Sequence, residues 1–395
     1  MMAQGAALDA VDAHLMPTYR RWPVEIVSGS GSRLLDSDGR SYIDLVAGIA
    51  VAGVGHAHPT VAAAIAEQAS KLVHVSNLYV TVPQARLAER LAGLTNGMQS
   101  FFANSGAEAI ECSIKIARKW GRTRKRESAV RIVCADGGFH GRTLGALAAT
   151  GQPAKQVPFE PLPRGFTHVP YGDLNALSDA MAEDVAAVLI EPVQGEAGVI
   201  VPPRGYLEGV RSICNYWGAL LILDEIQTGL GRTGRWFAHQ HSTITPDVMC
   251  LGKALAGGLP MSACLAKPEV ASTFAPGDHA TTFGGGPVQA AAALAVLDVI
   301  ESESLVDRAS SAGARLLDRL TAIAPAGART RGLGLMAAVE LAIPMAREVA
   351  AEALEQGVLV NDATPNVVRL TPPLVVTDEE IDEGLAVLEK AFDAV

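Results

Sequence analysis

Two side chains in the middle of this chain can do chemistry that few residues can. Asp224 and Glu225 close the apolar run ALLILDE, and Lys253 follows the short run VMCLG and precedes ALAGG. A carboxylate at the end of a buried strand needs a cationic partner. Read alone, Asp224 is half of a structural ion pair. Its sharper reading is a carboxylate that keeps the ring nitrogen of a bound aromatic group protonated, which turns the ring into an electron sink. Lysine is rarely buried. Read alone, Lys253 is a strand-end residue with its head in water; in a pocket that lowers its pKa it becomes a Schiff-base nucleophile. The pair on two strand ends is far more specific than either residue alone.

Two further segments supply binding groups. Asn104-Ser105-Gly106-Ala107-Glu108 opens a helix, whose first amide groups lack intrahelical partners and whose dipole favours an anion. Ser105, Gly106 and Ala107 form either a phosphate cup or an ordinary helix cap. In Gly138-Phe139-His140-Gly141-Arg142-Thr143, Phe139 can stack on a flat ligand and Arg142 can fork onto a carboxylate. The alternative is a loop aromatic packed on the core beside a solvated arginine. Gly229-Leu230-Gly231-Arg232-Thr233-Gly234 has the form G-x-G-x-x-G, but Arg-Trp-Phe follows in place of a small-residue helix start, which argues against a dinucleotide fingerprint. His56/His58 and His239/His241 are H-x-H pairs without further clustered ligands, a weak metal signal.

The elements that must position these groups alternate short apolar runs with helical patterns, the mark of an α/β protein with a mostly parallel sheet. Arg131–Ala135, Ala187–Glu191, Ala219–Asp224 and Val248–Leu251 read as buried strands. Each runs into a glycine-rich polar loop: ADGGFHGRT, EPVQGEAG, DEIQTGLGRTG and GKALAGG. Ligands of open parallel sheets bind beyond the carboxyl ends of the strands, so these loops form one candidate edge. Segments 61–72, 84–94 and 107–119 read as helices. Strand-like segments follow around Leu333–Leu341 and Val367–Leu370. A last helix begins after Thr377, with Glu380 completing a capping box.

With 395 residues, 49% hydrophobic and 19% charged, the chain can bury a large core and suits two intimately packed domains. A net charge of -10 with no dense basic run makes a poor nucleic-acid or anionic-membrane binder. No apolar run is long enough to span a bilayer, and MMAQGAALDAVDAHL does not read as a secretory signal. Five scattered cysteines with no C-x-x-C pair fit a reduced, cytoplasmic setting.

As an ordered set, YIDLVAGIAVAGVGHAHP, HVSNLY, FFANSGAEA, FHGRTLGALAATGQ, EPVQGEAGV, LLILDEIQTGLGRTG, DVMCLGKALAGGLP, TTFGGGP and VVRLTPPL resemble the class III aminotransferases of the pyridoxal-phosphate fold-type I superfamily. The similarity runs from about Tyr19 to the final helix and is strongest to the members that act on acetylornithine. It implies a large domain (61–290) with a mostly parallel seven-stranded sheet, and a smaller α+β domain built from both chain ends (1–60 and 291–395).

The cofactor implied is pyridoxal 5'-phosphate, with Lys253 as its covalent partner and Asp224 on the ring nitrogen. Ile226 and Phe139 would lie on the two ring faces and Gln227 on the ring hydroxyl. Ser105, Gly106 and Ala107 would hold the phosphate. Thr282 would reach the phosphate of a neighbouring subunit, which implies a homodimer with shared sites. Arg142, Arg369, Glu196 and Thr281 fall at substrate-binding positions, Glu196 being able to neutralise Arg369. The reaction implied moves the δ-amino group of acetylornithine to 2-oxoglutarate in arginine biosynthesis. Transamination of ornithine, succinylornithine, succinyldiaminopimelate or 4-aminobutyrate and an aminomutase reaction are alternatives on the same scaffold, and a catalytically silent paralogue that binds a partner is the rival of another class. Gly286, Gly252, Ala254 and Ala52 depart from the family pattern.

Overall fold

A computed structural model of the chain describes residues 6–395. The first five residues of the N-terminal stretch read above lie outside the described residues. After a helix at Ala6–His14, β1 (Ile26–Ser30), β2 (Arg33–Asp36) and β3 (Ser41–Asp44) form an antiparallel meander.

The central sheet comprises β4 (Gln99–Ala103), β5 (Arg131–Ala135), β6 (Phe166–Val169), β7 (Val185–Ile190), β8 (Leu220–Asp224), β9 (Val248–Leu251) and β10 (Ser262–Ala266). Its order is β4-β10-β9-β8-β7-β5-β6, and only β10 runs against the others. The inner strands read as unbroken apolar runs because both faces are covered. Leu220 and Ile222 pack under the helix Gly106–Arg124 with Ile110 and Ile114. Leu221 and Leu223 point the other way, toward Leu207, Val210 and Cys214 of the helix Tyr206–Trp217. This is the period of two that a strand imposes on its side chains.

The C-terminal part contains β11 (Arg329–Gly332), β12 (Ala337–Glu340), β13 (Val358–Leu359), β14 (Asn361–Thr364) and β15 (Val367–Leu370). Four of these form an antiparallel sheet, β11-β12-β15-β14, while β13 pairs in parallel with β3, Val358 opposite Ile43. The two chain ends therefore share a sheet. The region around Leu333–Leu341 is not one continuous strand. Residues 333–336 form the turn between β11 and β12, because Gly334, at φ +58°, lies against the backbone of Thr233, where a Cβ would come within 2.4 Å. The final helix, Asp378–Asp393, starts at Thr377 with the reciprocal Thr377–Glu380 capping box.

The G-x-G-x-x-G segment opens no α-helix. Arg232 within it is buried, and its Nη1 donates to the carbonyls of Leu335 (2.9 Å) and Pro372 (2.5 Å), tying the loop after β8 to the C-terminal part. Among the described residues no helix is long and apolar enough to cross a membrane.

Candidate active site

The carboxyl ends of β5, β7, β8 and β9 open onto one cavity of about 190 Å³. It is lined by Gly106, Ala107, Phe139, His140, Gly141, Glu191, Glu196, Asp224, Ile226, Gln227 and Lys253. A larger groove of about 890 Å³ between the helices Pro59–Lys71 and Val82–Leu94 holds none of these groups.

Lys253 begins a single helical turn two residues past the end of β9 and carries a left-handed φ of +36°. A non-glycine residue held there costs about 1–3 kcal/mol and persists only where its surroundings over-determine it. Burial lowers its ammonium pKa to about 8, with Arg369 working in the same direction and Glu196 against it. A site that lowers the pKa of this amine in this way suits a nucleophile.

Asp224 ends β8 and is buried. Its Oδ1 accepts the Ile226 amide at 3.1 Å, and its Oδ2 lies 2.8 Å from His140 Nδ1. Burial works to lower the His140 pKa, but the hydrogen bond and charge of Asp224, with Glu191 beyond, raise it above its ordinary value. The fully buried Nε2 of His140 has no partner among the described residues. Glu191, one residue past β7, accepts the Phe139 amide on Oε1 (2.9 Å) and the Gly195 amide on Oε2 (3.1 Å). It thereby clamps two of the site loops together. Burial raises its pKa.

Ser105 caps the helix Gly106–Arg124, its hydroxyl accepting the Glu108 amide at 3.3 Å. A Cβ on Gly106 would stand 2.9 Å from Ile226 Cδ1, so glycine lets the helix start approach the ring-sized gap. Phe139 is half-buried, and the exposed Arg142 guanidinium lies 5.6 Å from its ring centroid.

Arg369, on β15, is fully buried and donates from Nη1 to Glu196 Oε1 at 2.7 Å, to the Gly195 carbonyl at 2.9 Å and to Gln227 Oε1 at 3.3 Å. Burial works to raise the Glu196 pKa, but Arg369 and Lys253 hold it down at about 2. Thr281 and Thr282 do not line this cavity. The Thr281 hydroxyl lies 3.4 Å from Asn104 Nδ2, and Thr282 is exposed.

The histidine pairs are held separately. His56 meets Asp44 at 2.7 Å, His58 meets Glu303 at 3.1 Å, His239 meets Glu225 at 3.1 Å, and His241 meets the Thr233 carbonyl at 2.9 Å.

His140, Glu191 and Asn361 carry site contacts that the motif reading gave no role. Glu191 had the same signal as Asp224, a carboxylate closing a buried strand. His140 and Asn361 had none, because their partners are distant in the chain.

A lysine of lowered pKa, a buried carboxylate braced by histidine and a glycine-containing helix start at the carboxyl edge of this sheet, with a buried arginine reaching in from β15, define a fold-type I site. That donor set fits pyridoxal phosphate: an amine for its aldehyde, an acid for its ring nitrogen and free amides for its phosphate. The chain belongs to the class III aminotransferases, the family model described as "Aminotransferase class-III" matching residues 16–392, and this family uses pyridoxal phosphate. It is 50% identical over 385 residues to the acetylornithine aminotransferase of Mycobacterium tuberculosis, covering 96% of this chain and 94% of that one. Among solved structures, it superposes on an ornithine aminotransferase from Toxoplasma gondii with a TM-score of 0.95 at 35% identity, covering 100% of this chain and 96% of the other. An acetylornithine aminotransferase from Elizabethkingia anophelis gives 0.89 at 32% identity, with 98% of each chain covered.

Proposed function

We propose that this aminotransferase moves the δ-amino group of N2-acetylornithine to 2-oxoglutarate, giving N-acetylglutamate 5-semialdehyde and glutamate, as a step of arginine biosynthesis. The observation that carries the choice of donor is the set of curated relatives named for acetylornithine, among them the Mycobacterium tuberculosis enzyme at 50% identity over nearly the whole chain.

Each residue has a role in this reading. Lys253 would hold the cofactor through Nζ and would serve as the base that carries the proton lost and regained at the reacting carbons. When bound, pyridoxal phosphate supplies the electron sink for the electron pair left when that proton departs. Asp224 keeps the ring nitrogen protonated, and His140 steadies Asp224. Ile226 and Phe139 would flank the ring, Gln227 would meet its hydroxyl, and Ser105, Gly106 and Ala107 would receive the phosphate at a helix start.

Arg142 grips the carboxylate distant from the reacting amine in both substrates, and Thr281 is the further substrate-binding residue of this reading. Arg369 serves the second carboxylate of glutamate. Acetylornithine has only CH₂ beside its reacting amine, so a bare guanidinium there would be unpaired in a desolvated pocket. Glu196 neutralises Arg369 for that half-reaction and swings aside for glutamate. Its pKa of about 2 keeps it charged throughout the neutral range, so the incoming carboxylate, and not pH, would drive the exchange.

The reading includes a cytoplasmic homodimer in which Thr282 serves the partner's phosphate site. The strongly exposed apolar residues Leu78 (85%), Val80 (89%) and Phe283 (65%) support it, since such patches mark interaction surfaces. It also takes 61–290 as the large domain and 1–60 with 291–395 as the small one, supported by the pairing of β13 with β3.

Ornithine is the second donor to weigh, because the Toxoplasma gondii neighbour is an ornithine aminotransferase. Comparing kcat/KM for acetylornithine, ornithine and succinyldiaminopimelate tests the proposal. Acetylornithine is expected to lead, and a higher value for either rival would replace it.

A further inference from the structure

Arg369 is held on two sides by acceptors of different charge. On one side Nη1 meets Glu196, the Gly195 carbonyl and Gln227. On the other, Nε and Nη2 both donate to Asn361 Oδ1, at 3.1 and 2.6 Å. Asn361 lies directly opposite Arg369 in the antiparallel β14–β15 ladder, so sheet register sets this contact. A guanidinium is planar and carries five N–H donors in a fixed fork. Asn361 takes the single Nε hydrogen and one from Nη2. The second Nη2 hydrogen has no acceptor among the described residues. It shares an edge with one of the two hydrogens of Nη1, the nitrogen that Glu196 engages, and a carboxylate can bind that edge with two parallel hydrogen bonds.

We propose that Asn361 is a positioning and specificity-determining residue of the second-carboxylate site. Its neutral amide oxygen holds the guanidinium in its plane without cancelling the charge. The Nη1/Nη2 fork therefore stays in place and cationic when Glu196 withdraws, ready for the carboxylate of glutamate or 2-oxoglutarate. An aspartate at 361 has the same shape and the same acceptor geometry, but it fixes a second anion on the rear edge. A buried arginine neutralised there attracts an incoming carboxylate much less. Arg369 must serve one substrate with a carboxylate beside the reacting carbon and one without. That alternation works only if a single anion at a time, Glu196 or substrate, claims the charge. The inference rests on the use of glutamate and 2-oxoglutarate proposed above.

The test uses the cofactor-loaded protein and glutarate, a five-carbon dicarboxylate with neither amine nor keto group, which binds without reacting. Titration calorimetry gives its dissociation constant, and single-turnover absorbance gives the rate constant of each half-reaction. Asn361→Asp is expected to weaken glutarate by at least about tenfold and to shift the ratio of the two half-reactions against glutamate by a similar factor, the scale expected when a buried charge pair is altered. Asn361→Ala, which keeps the charge but loses the anchor, should weaken glutarate less than Asn361→Asp, by about threefold or more, and it decides the matter alone if the aspartate variant fails to fold. Wild-type glutarate affinity in the variant that decides, or equal losses in both half-reactions, would overturn the inference while leaving the amino-transfer reading intact. Failure of the wild-type protein to bind glutarate would overturn that reading, and this inference with it.

Discussion

Lys253 is the residue whose ionisation reports most directly on the site. Its burial-lowered pKa of about 8 means that the neutral, nucleophilic amine dominates above that pH and the inert ammonium below it. Capture of pyridoxal phosphate by the cofactor-free protein should accelerate as pH rises from about 7 and level off near about 9, whereas an ordinary lysine would keep accelerating past about 10. Stopped-flow absorbance reads this directly. Lys253→Ala should abolish turnover, and borohydride reduction followed by peptide mapping should label Lys253; a label on Lys155 or Lys267 would remove it from its proposed role. Asp224→Asn keeps the shape and the His140 contact but loses the charge. A fall in kcat of at least about a hundredfold, roughly 3 kcal/mol, is expected, and near-normal turnover would refute the role. Glu196→Ala separates a switch from a fixed ion pair. The switch predicts damage to the acetylornithine half-reaction with the glutamate half spared, whereas a fixed pair harms both alike.

At the scale of elements, the helix Gly106–Arg124 connects the anion-binding start to the core under the sheet. Gly121 is a buried residue near its C-terminal end, where a Cβ would stand 1.9 Å from the Ala129 carbonyl oxygen and 2.9 Å from Ala186 Cβ. Replacing glycine by alanine within a helix normally gains about 1 kcal/mol of propensity. Here the overlap with a backbone oxygen forces the helix off the sheet, and overpacking of that kind typically costs about 1–3 kcal/mol or more. Packing outweighs propensity at this contact distance. Gly121→Ala should therefore lower the melting temperature by several degrees, at least about 3 °C. Calorimetry showing an unchanged or higher Tm would mean that the helix shifts freely, contrary to its close contact with Ala129 and with Ala186 of β7.

For the molecule as a whole, the proposed homodimer is open to disruption at its exposed apolar segment. Leu78 and Val80 are among the most exposed large hydrophobic residues, yet they sit in the segment beside the Thr281–Phe283 loop, to which Asn77 donates a hydrogen bond at the Thr281 carbonyl. Charges placed there should oppose association while leaving the core of each subunit untouched. The double variant Leu78→Asp/Val80→Asp should sediment as a monomer and lose at least about tenfold in turnover, because each site would lack the partner's Thr282. A monomeric variant with full activity would show that the site is complete within one chain.

The chain's own residues determined the features that depend on local rules. Buried parallel strands need unbroken apolar runs, so β5 and β9 were legible to their ends, and the polar loops after them followed. The Thr377–Glu380 capping box was legible because both of its hydrogen bonds close within one turn. Other features required partners far apart in sequence. The break at Gly334 comes from the Thr233 backbone pressing against it, which no pattern within 333–341 reveals. His140 reaches Asp224 from another strand's loop, Glu196 reaches Arg369 from 173 residues away in the chain, and Asn361 meets Arg369 only through a two-strand register. Short-range periodicity and propensity govern which segments become strands and helices. Which side chains then share a charge or a hydrogen bond depends on how those segments pack, and that is a property of the tertiary structure alone.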